Sequence, residues 1–251
     1  MIALITGSTA GIGAAAAERF AQGGYDLIVT GRRACRLEDL KVQLEKYHHV
    51  QVKTLAFDVR KPDEVEQALL QLAPDWQNID VLVNNAGLAV GMHPVQEGIL
   101  EDWERMIDTN IKGLLYVTRM VAPWMATRKK GHIVNIGSIA GKEVYPNGNV
   151  YCATKYAVDA LSKAMRFDLL TSGVRVSQIC PGMAETEFSE VRFKGDVERA
   201  ANVYKGFVPL SARDIAEAVW YVTQLPPHVT IHDMVIMPTA QASTTLVHKQ
   251  L

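Results

Sequence analysis

Hydrophobic positions along the chain fall into two alternating patterns. Short, nearly continuous apolar runs occupy residues 2–6, 26–30, 52–56, 81–84, 132–136, 175–179 and 234–237. Such runs have the character of strands covered on both faces. Between them, residues 14–22, 35–46, 64–72, 101–128, 151–172 and 212–224 carry apolar residues at helical spacing. Leu37, Leu40 and Leu44, for example, recur at the intervals of one helix face. Pro62 suits a helix N-terminus, Gly173 a C-cap, and Pro226-Pro227 a stop. Pro123 is expected to bend or interrupt the long 101–128 helix, because it lacks a backbone donor. Strands alternating with helices predict an α/β fold: one open, mostly parallel sheet, doubly wound with helices on both faces. Residues 182–210 break the rhythm. They mix charges with aromatics and are expected to form short helices outside the sheet.

Composition narrows the class. The 251 residues include 26 Lys+Arg and 27 Asp+Glu, a net charge of −1. That balance speaks against a nucleic-acid surface, which needs an excess of cations. No Ser/Gly/Pro-rich linker divides the chain, so residues 1–251 read as one domain. Cys35, Cys152 and Cys180 are odd in number and widely spaced, and they suit reduced thiols better than disulfides or zinc. The seven histidines form no metal-ligand set; His228 and His232 are four apart but follow two prolines. The N-terminus lacks the cationic start of a signal peptide, and no run approaches the roughly 18 apolar residues of a membrane span. The expectation is a soluble cytoplasmic protein with no metal, no nucleic-acid partner and no membrane.

The first run leads into Thr6-Gly7-Ser8-Thr9-Ala10-Gly11-Ile12-Gly13 and then a helix. Glycines permit a tight turn and close backbone approach, and the helix N-terminus offers free N–H groups to a diphosphate. The position, at the first strand-to-helix turn, is what a dinucleotide site requires. Nineteen residues beyond Gly13 stand Arg32 and Arg33, where a carboxylate would bind the ribose 2′-hydroxyl of NAD. Two guanidiniums suit a 2′-phosphate, so NADP is the expected cofactor. Tyr151 and Lys155 lie four apart on one helix face, where an ammonium can favour phenolate. Tyr151 is then a general acid and base, and Ser138 a hydrogen-bond donor to the substrate oxygen.

The spacing Gly7, Gly11, Gly13 resembles the TGxxxGxG of the short-chain dehydrogenase/reductase family. The resemblance covers nearly the whole chain: Asn84-Asn85-Ala86-Gly87 matches the family's NNAG, and Pro181-Gly182 with Thr186 its PGxxxT. Asn110, Ser138, Tyr151 and Lys155 stand where the family's catalytic tetrad stands. The strings TGRR, NVYCATK and ETEFSEVRFKGD look like its NADP-dependent 3-hydroxy acid dehydrogenase group. The resemblance implies a Rossmann-like fold, an adenine contact from Asp58 and neighbouring Val59, and a sheet-stabilising Asn84. It implies cofactor contacts from Ser8, Thr9, Ile12, Ala86, Gly87, Pro181, Gly182 and Thr186 as well. It further implies that Lys155 holds ribose hydroxyls, that Asn110 positions a water beside Lys155, and that the chain is a homotetramer. Asp58 equally suits an N-cap for the helix near Pro62.

On the substrate side, a lid is expected around residues 182–210, with Arg192 for a substrate carboxylate. Glu185, Glu187 and Glu190 could instead balance that charge. Met92, Val144, Tyr145 and Met183 are candidate pocket walls. The favoured function is reduction of a small 3-oxo acid such as malonic semialdehyde, and in reverse oxidation of 3-hydroxy acids such as serine or allo-threonine. The alternatives are a 3-oxoacyl carrier-protein reductase or broad carbonyl reductase, and a non-catalytic NADP-sensing protein.

Overall fold

In the computed structural model, which describes residues 1–250, the chain forms a single three-layer α/β/α unit. In order it runs β1 (Ile2–Ile5), α1 (Gly11–Gln22), β2 (Asp26–Gly31), α2 (Ala34–His48), β3 (Val52–Ala56), α3 (Pro62–Leu70) and β4 (Ile79–Asn84). There follow α4 (Leu100–Ile107), α5 (Leu114–Arg128), β5 (Gly131–Ile136), α6 (Asn149–Asp168) and β6 (Val174–Pro181). The last part holds β7 (Ala184–Glu185), α7 (Phe188–Arg192), α8 (Val197–Asn202), β8 (Leu210–Ser211), α9 (Ala212–Gln224) and β9 (Asp233–Ile236).

Seven strands pair in parallel in the order β3-β2-β1-β4-β5-β6-β9, as the apolar runs anticipate. One face packs on α1, α2 and α9, where Phe20, Tyr25 and Trp220 meet edge to face at 5.1–5.7 Å. The other packs on α3, α5 and α6 through residues such as Leu69, Val117, Val121 and Val158. Burying each such side chain contributes about 1.5–3 kcal/mol, so both faces are firmly covered. Residues 182–210 lie outside the main sheet, as expected, as two short helices and the two-residue parallel pair β7–β8. Among the described residues no helix is long and apolar enough to cross a membrane.

Two expectations need correction. The 101–128 segment is interrupted, but not at Pro123, which sits inside an unbroken α5. The break is a π-helical turn at Asp108–Gly113. There Asn110 ties the helix to the loop after β4, and that tertiary hydrogen bonding outweighs the local preference. The helix after residue 151 begins at Asn149 and ends at Asp168, passing into a tighter turn at Leu170–Ser172 that Gly173 closes at φ +65°.

In a parallel sheet all strand C-termini emerge at one edge. Here the strand order reverses between β1 and β4, which opens a crevice at that edge.

Candidate active site

The crevice is a cleft of about 450 Å³. Its floor is the turn after β1. Gly7 (φ +68°) and Gly11 (φ +54°) adopt backbone that only glycine takes readily. A Cβ on Gly13 would lie 2.3 Å from the Gly7 carbonyl oxygen, so the third glycine is needed for packing rather than for contact with a ligand. The N-cap of α1 is Ala10, which has no side-chain cap, and the first turn holds no acidic residue. The first N–H groups of α1 therefore face the cleft with no side chain to accept from them, the arrangement a diphosphate fits. Gly7, Gly11 and Ile12 line this floor, with Ala86 and Gly87 beside them.

At the end of β2 only one of the two expected arginines enters the cleft. Arg33 lines it, donating from Nε and Nη2 to Thr9 Oγ1 at 2.9 and 2.7 Å. Arg32 is exposed and lies near Asp58, whose carboxyl, against the upward push of burial, is held below the usual range by Arg60 and, last, by the Arg32 charge. The second cation beside Arg33 is Arg36, one helical turn on. Glu187 bridges the two at 3.0 and 2.8 Å. The motif reading missed Arg36, because its partner comes from a segment more than 150 residues away.

Other expected contacts serve the frame. Ser8 is fully buried and donates to the Ile5 carbonyl. Asn84 is buried and donates to Thr118 and Asn135, which ties β4 to α5 and β5 and keeps it off the cleft wall. Its neighbour Asn85 takes the wall position and donates to the Thr6 and Gly7 carbonyls. Successive residues leave a strand on opposite sides, and that alternation is the signal that could have singled out Asn85. Val59 is packed in the core under the π-turn. Asp58 does not cap α3: its carboxylate takes Arg60 at 2.6 Å, while Glu64 accepts from the Asp58 N–H. The N-cap position belongs to Lys61, without a side-chain cap.

Ser138, Tyr151 and Lys155 meet at the cleft's far end. Ser138 follows β5, and its Oγ accepts from the Ala140 N–H at 3.0 Å. Tyr151 and Lys155 share the buried face of α6. Lys155 Nζ donates to the Ile136 carbonyl at 2.9 Å, and burial pulls its pKa down to about 8. Burial pushes the Tyr151 phenol above its ordinary value, while the Arg192 charge and the Ser138 hydroxyl pull the other way. Lys155 stands one helical turn beyond Tyr151 on α6. The ammonium lies 6.0 Å from the ring centroid and is turned to a carbonyl. Asn110 lies behind the cleft. It accepts from the Leu88 N–H and donates to the Leu88 carbonyl and Thr154 Oγ1, all within 2.8–3.0 Å.

Pro181 at the end of β6 and, beyond it, Gly182, Met183, Thr186 and Phe188 line the cleft. Thr186 approaches Gly11, and Phe188 packs on Tyr151 at 5.6 Å between centroids. Arg192 sits among Tyr145, Tyr151 and Phe188, its guanidinium carbon 5.2–5.6 Å from each ring. The expected balancing glutamate does not reach it, since Glu187 is committed to Arg33 and Arg36. Met92 and Tyr145 line the cleft as expected, whereas Val144 is exposed. Gln241 and Thr244 join the wall from the C-terminal segment.

The short chain dehydrogenase family model matches residues 1–196. The chain is a short chain dehydrogenase. Within the family it is 49% identical, over the full length of both chains, to the NADP-dependent 3-hydroxy acid dehydrogenase YdfG of Escherichia coli K12. It is 46% identical to sulfoacetaldehyde reductase 2 of Chromohalobacter salexigens, covering 96% of this chain and 95% of that one. Among solved structures, the closed form of a serine dehydrogenase complexed with NADP+ superposes with a TM-score of 0.93 at 49% identity, covering both chains fully. The expected family and fold are therefore borne out.

Proposed function

We propose that this short chain dehydrogenase uses NADP(H) to interconvert small 3-hydroxy acids and their 3-oxo acids, with malonic semialdehyde and serine as the first substrates to test. The observation that carries the reading is Arg192. Its guanidinium is placed beside Tyr151 with no carboxylate partner, and its buried Nε has no hydrogen-bond acceptor. A buried guanidinium N–H without an acceptor costs about 1–3 kcal/mol, so a substrate carboxylate that accepts from it fits there (about 1.5–3 kcal/mol per charge-assisted bond). The relatives' names agree in kind: a 3-hydroxy acid and sulfoacetaldehyde each pair an anionic group with a small alcohol or aldehyde.

The uncapped start of α1 and the glycine turn would hold the coenzyme diphosphate, with Arg33 and Arg36 at the 2′-phosphate. Lys155, Thr186 and the Pro181-Gly182 bend would contact the nicotinamide half. Bound there, the coenzyme supplies or accepts the hydride. Tyr151 Oη gives its proton to the carbonyl oxygen in reduction and takes it back in oxidation. Ser138 Oγ hydrogen-bonds the same oxygen as charge develops on it. Arg192 grips the carboxylate and so sets which carbonyl faces Tyr151.

Helices α5 and α6 present Leu115, Tyr156 and Phe167 to solvent, with Leu170 just beyond. Leu161 and Leu169 are drawn into the core instead. This outward apolar surface supports the homotetramer as the assembled form.

The test is NADPH oxidation with malonic semialdehyde and with its methyl ester, in the wild type and in Arg192→Ala. The acid should lose at least about tenfold in kcat/KM on loss of one charge-assisted contact, and the ester little. Equal losses would remove the carboxylate role.

A further inference from the structure

Arg192 has a second neighbour of consequence. Its guanidinium carbon lies 5.2 Å from the centroid of the Tyr151 ring, nearer than the Lys155 ammonium at 6.0 Å. Nη2 donates to the Tyr145 hydroxyl, which fixes the plane of the fork. Nearby carboxylates are engaged elsewhere: Glu187 with Arg33 and Arg36, and Asp102 with Lys194. The polar groups that face Tyr151 are few. Ser138 comes from the end of β5, Tyr145 from the loop before α6, Cys152 and Lys155 from α6 itself, and Arg192 from α7. The thiol and the second phenol are neutral near pH 7. Lys155 directs its ammonium to the Ile136 carbonyl.

We propose that Arg192, carried on the lid helix α7, is a positioning residue for the proton that Tyr151 exchanges: stacked on the ring, it favours phenolate whenever the lid is down. A cation over an aromatic face is attracted to it, and more strongly once the ring carries negative charge. The lid therefore brings a second cation to the reacting phenol in addition to the one on α6. Burial opposes ionisation of Tyr151, and the Arg192 charge counters it. A substrate carboxylate on Arg192 would offset this charge, leaving the phenol protonated as reduction requires.

The inference rests on Tyr151 being the proton donor and acceptor described above. The experiment separates the two. NADP+-dependent oxidation of methyl 3-hydroxypropanoate, which has no carboxylate, is followed against pH in the wild type, Arg192→Gln, Arg192→Lys and Tyr151→Phe. In parallel, the NADP+ complexes labelled with 13C at tyrosine Cζ are titrated by NMR, with Tyr151 assigned by its loss in Tyr151→Phe. In Arg192→Gln the kinetic midpoint and the Tyr151 resonance should both move up by about one pH unit. Arg192→Lys should restore most of the shift. Should Arg192→Gln not fold, Arg192→Met keeps the apolar stem against Phe188 and is read in the same way. Unchanged midpoints in an arginine variant that still binds NADP+ would overturn the inference, while turnover by Tyr151→Phe would overturn the reading beneath it.

Discussion

At the scale of single residues, chemistry and position separate cleanly. Ser138, Tyr151 and Lys155 converge on one cleft although Ser138 lies thirteen residues before Tyr151. The strand end and the helix start carry them there. Tyr151→Phe removes only the hydroxyl and keeps the ring against Phe188. It should abolish turnover, a loss of at least ~10³-fold for a group that both gives and takes the proton. NADP+ affinity, read by fluorescence titration, should be unchanged within about twofold, because the diphosphate and 2′-phosphate contacts lie elsewhere. Spacing singled out Ser138, Tyr151, Lys155 and the glycines of the cleft because each answers a local demand. It could not reveal Arg36 or the pairing of Glu187 with Arg33 and Arg36, which depends on partners remote in sequence.

At the scale of elements, the apolar pattern located each of the seven main strands, and local signals erred where tertiary contacts intervened. Pro123 promised a break, but the helix passes through it, and the π-turn appears at Asn110 instead. That side chain makes three buried hydrogen bonds, two to the Leu88 backbone and one to Thr154, whose hydroxyl donates to the Tyr151 carbonyl. The turn thus holds the loop after β4 against the first turn of α6. Asn110→Ala would orphan Leu88 N–H and C=O together, costing about 2–4 kcal/mol. Urea unfolding should show a lower midpoint with an unchanged m-value. An equal midpoint would mean that the π-turn is maintained by packing alone.

At the scale of the whole molecule, the sheet buries groups that the mechanism does not use. His132 on β5 is 1% exposed and pairs with Ser177 at 2.8 Å. The Ser177 hydroxyl donates to the Ile231 carbonyl, so its oxygen accepts from His132 Nε2–H, and Nδ1 is left buried with no partner. Burial, aided by the Arg175 charge, holds the imidazole pKa down to about 3. The unfolded chain takes up a proton below about pH 6.5 and the folded one does not. This stability is therefore complete above pH 6.5 and is lost as pH falls toward 3, at about 1.4 kcal/mol per unit. Between pH 6.5 and 5.0 the wild type should lose about 2 kcal/mol more than His132→Gln, measured by urea unfolding at each pH. Parallel loss in both proteins would sink this assignment.

The sequence by itself determined the layered α/β class, the glycine turn after β1 and the residues Ser138, Tyr151 and Lys155 that meet in the cleft. These depend on periodicity and on backbone freedom, which are local properties. Tertiary structure decided which arginines share the cleft, that Asn85 rather than Asn84 forms its wall, and that Arg192 stands over Tyr151. Those outcomes follow from burial and pairing between segments far apart in the chain, where charges find partners that no spacing rule encodes.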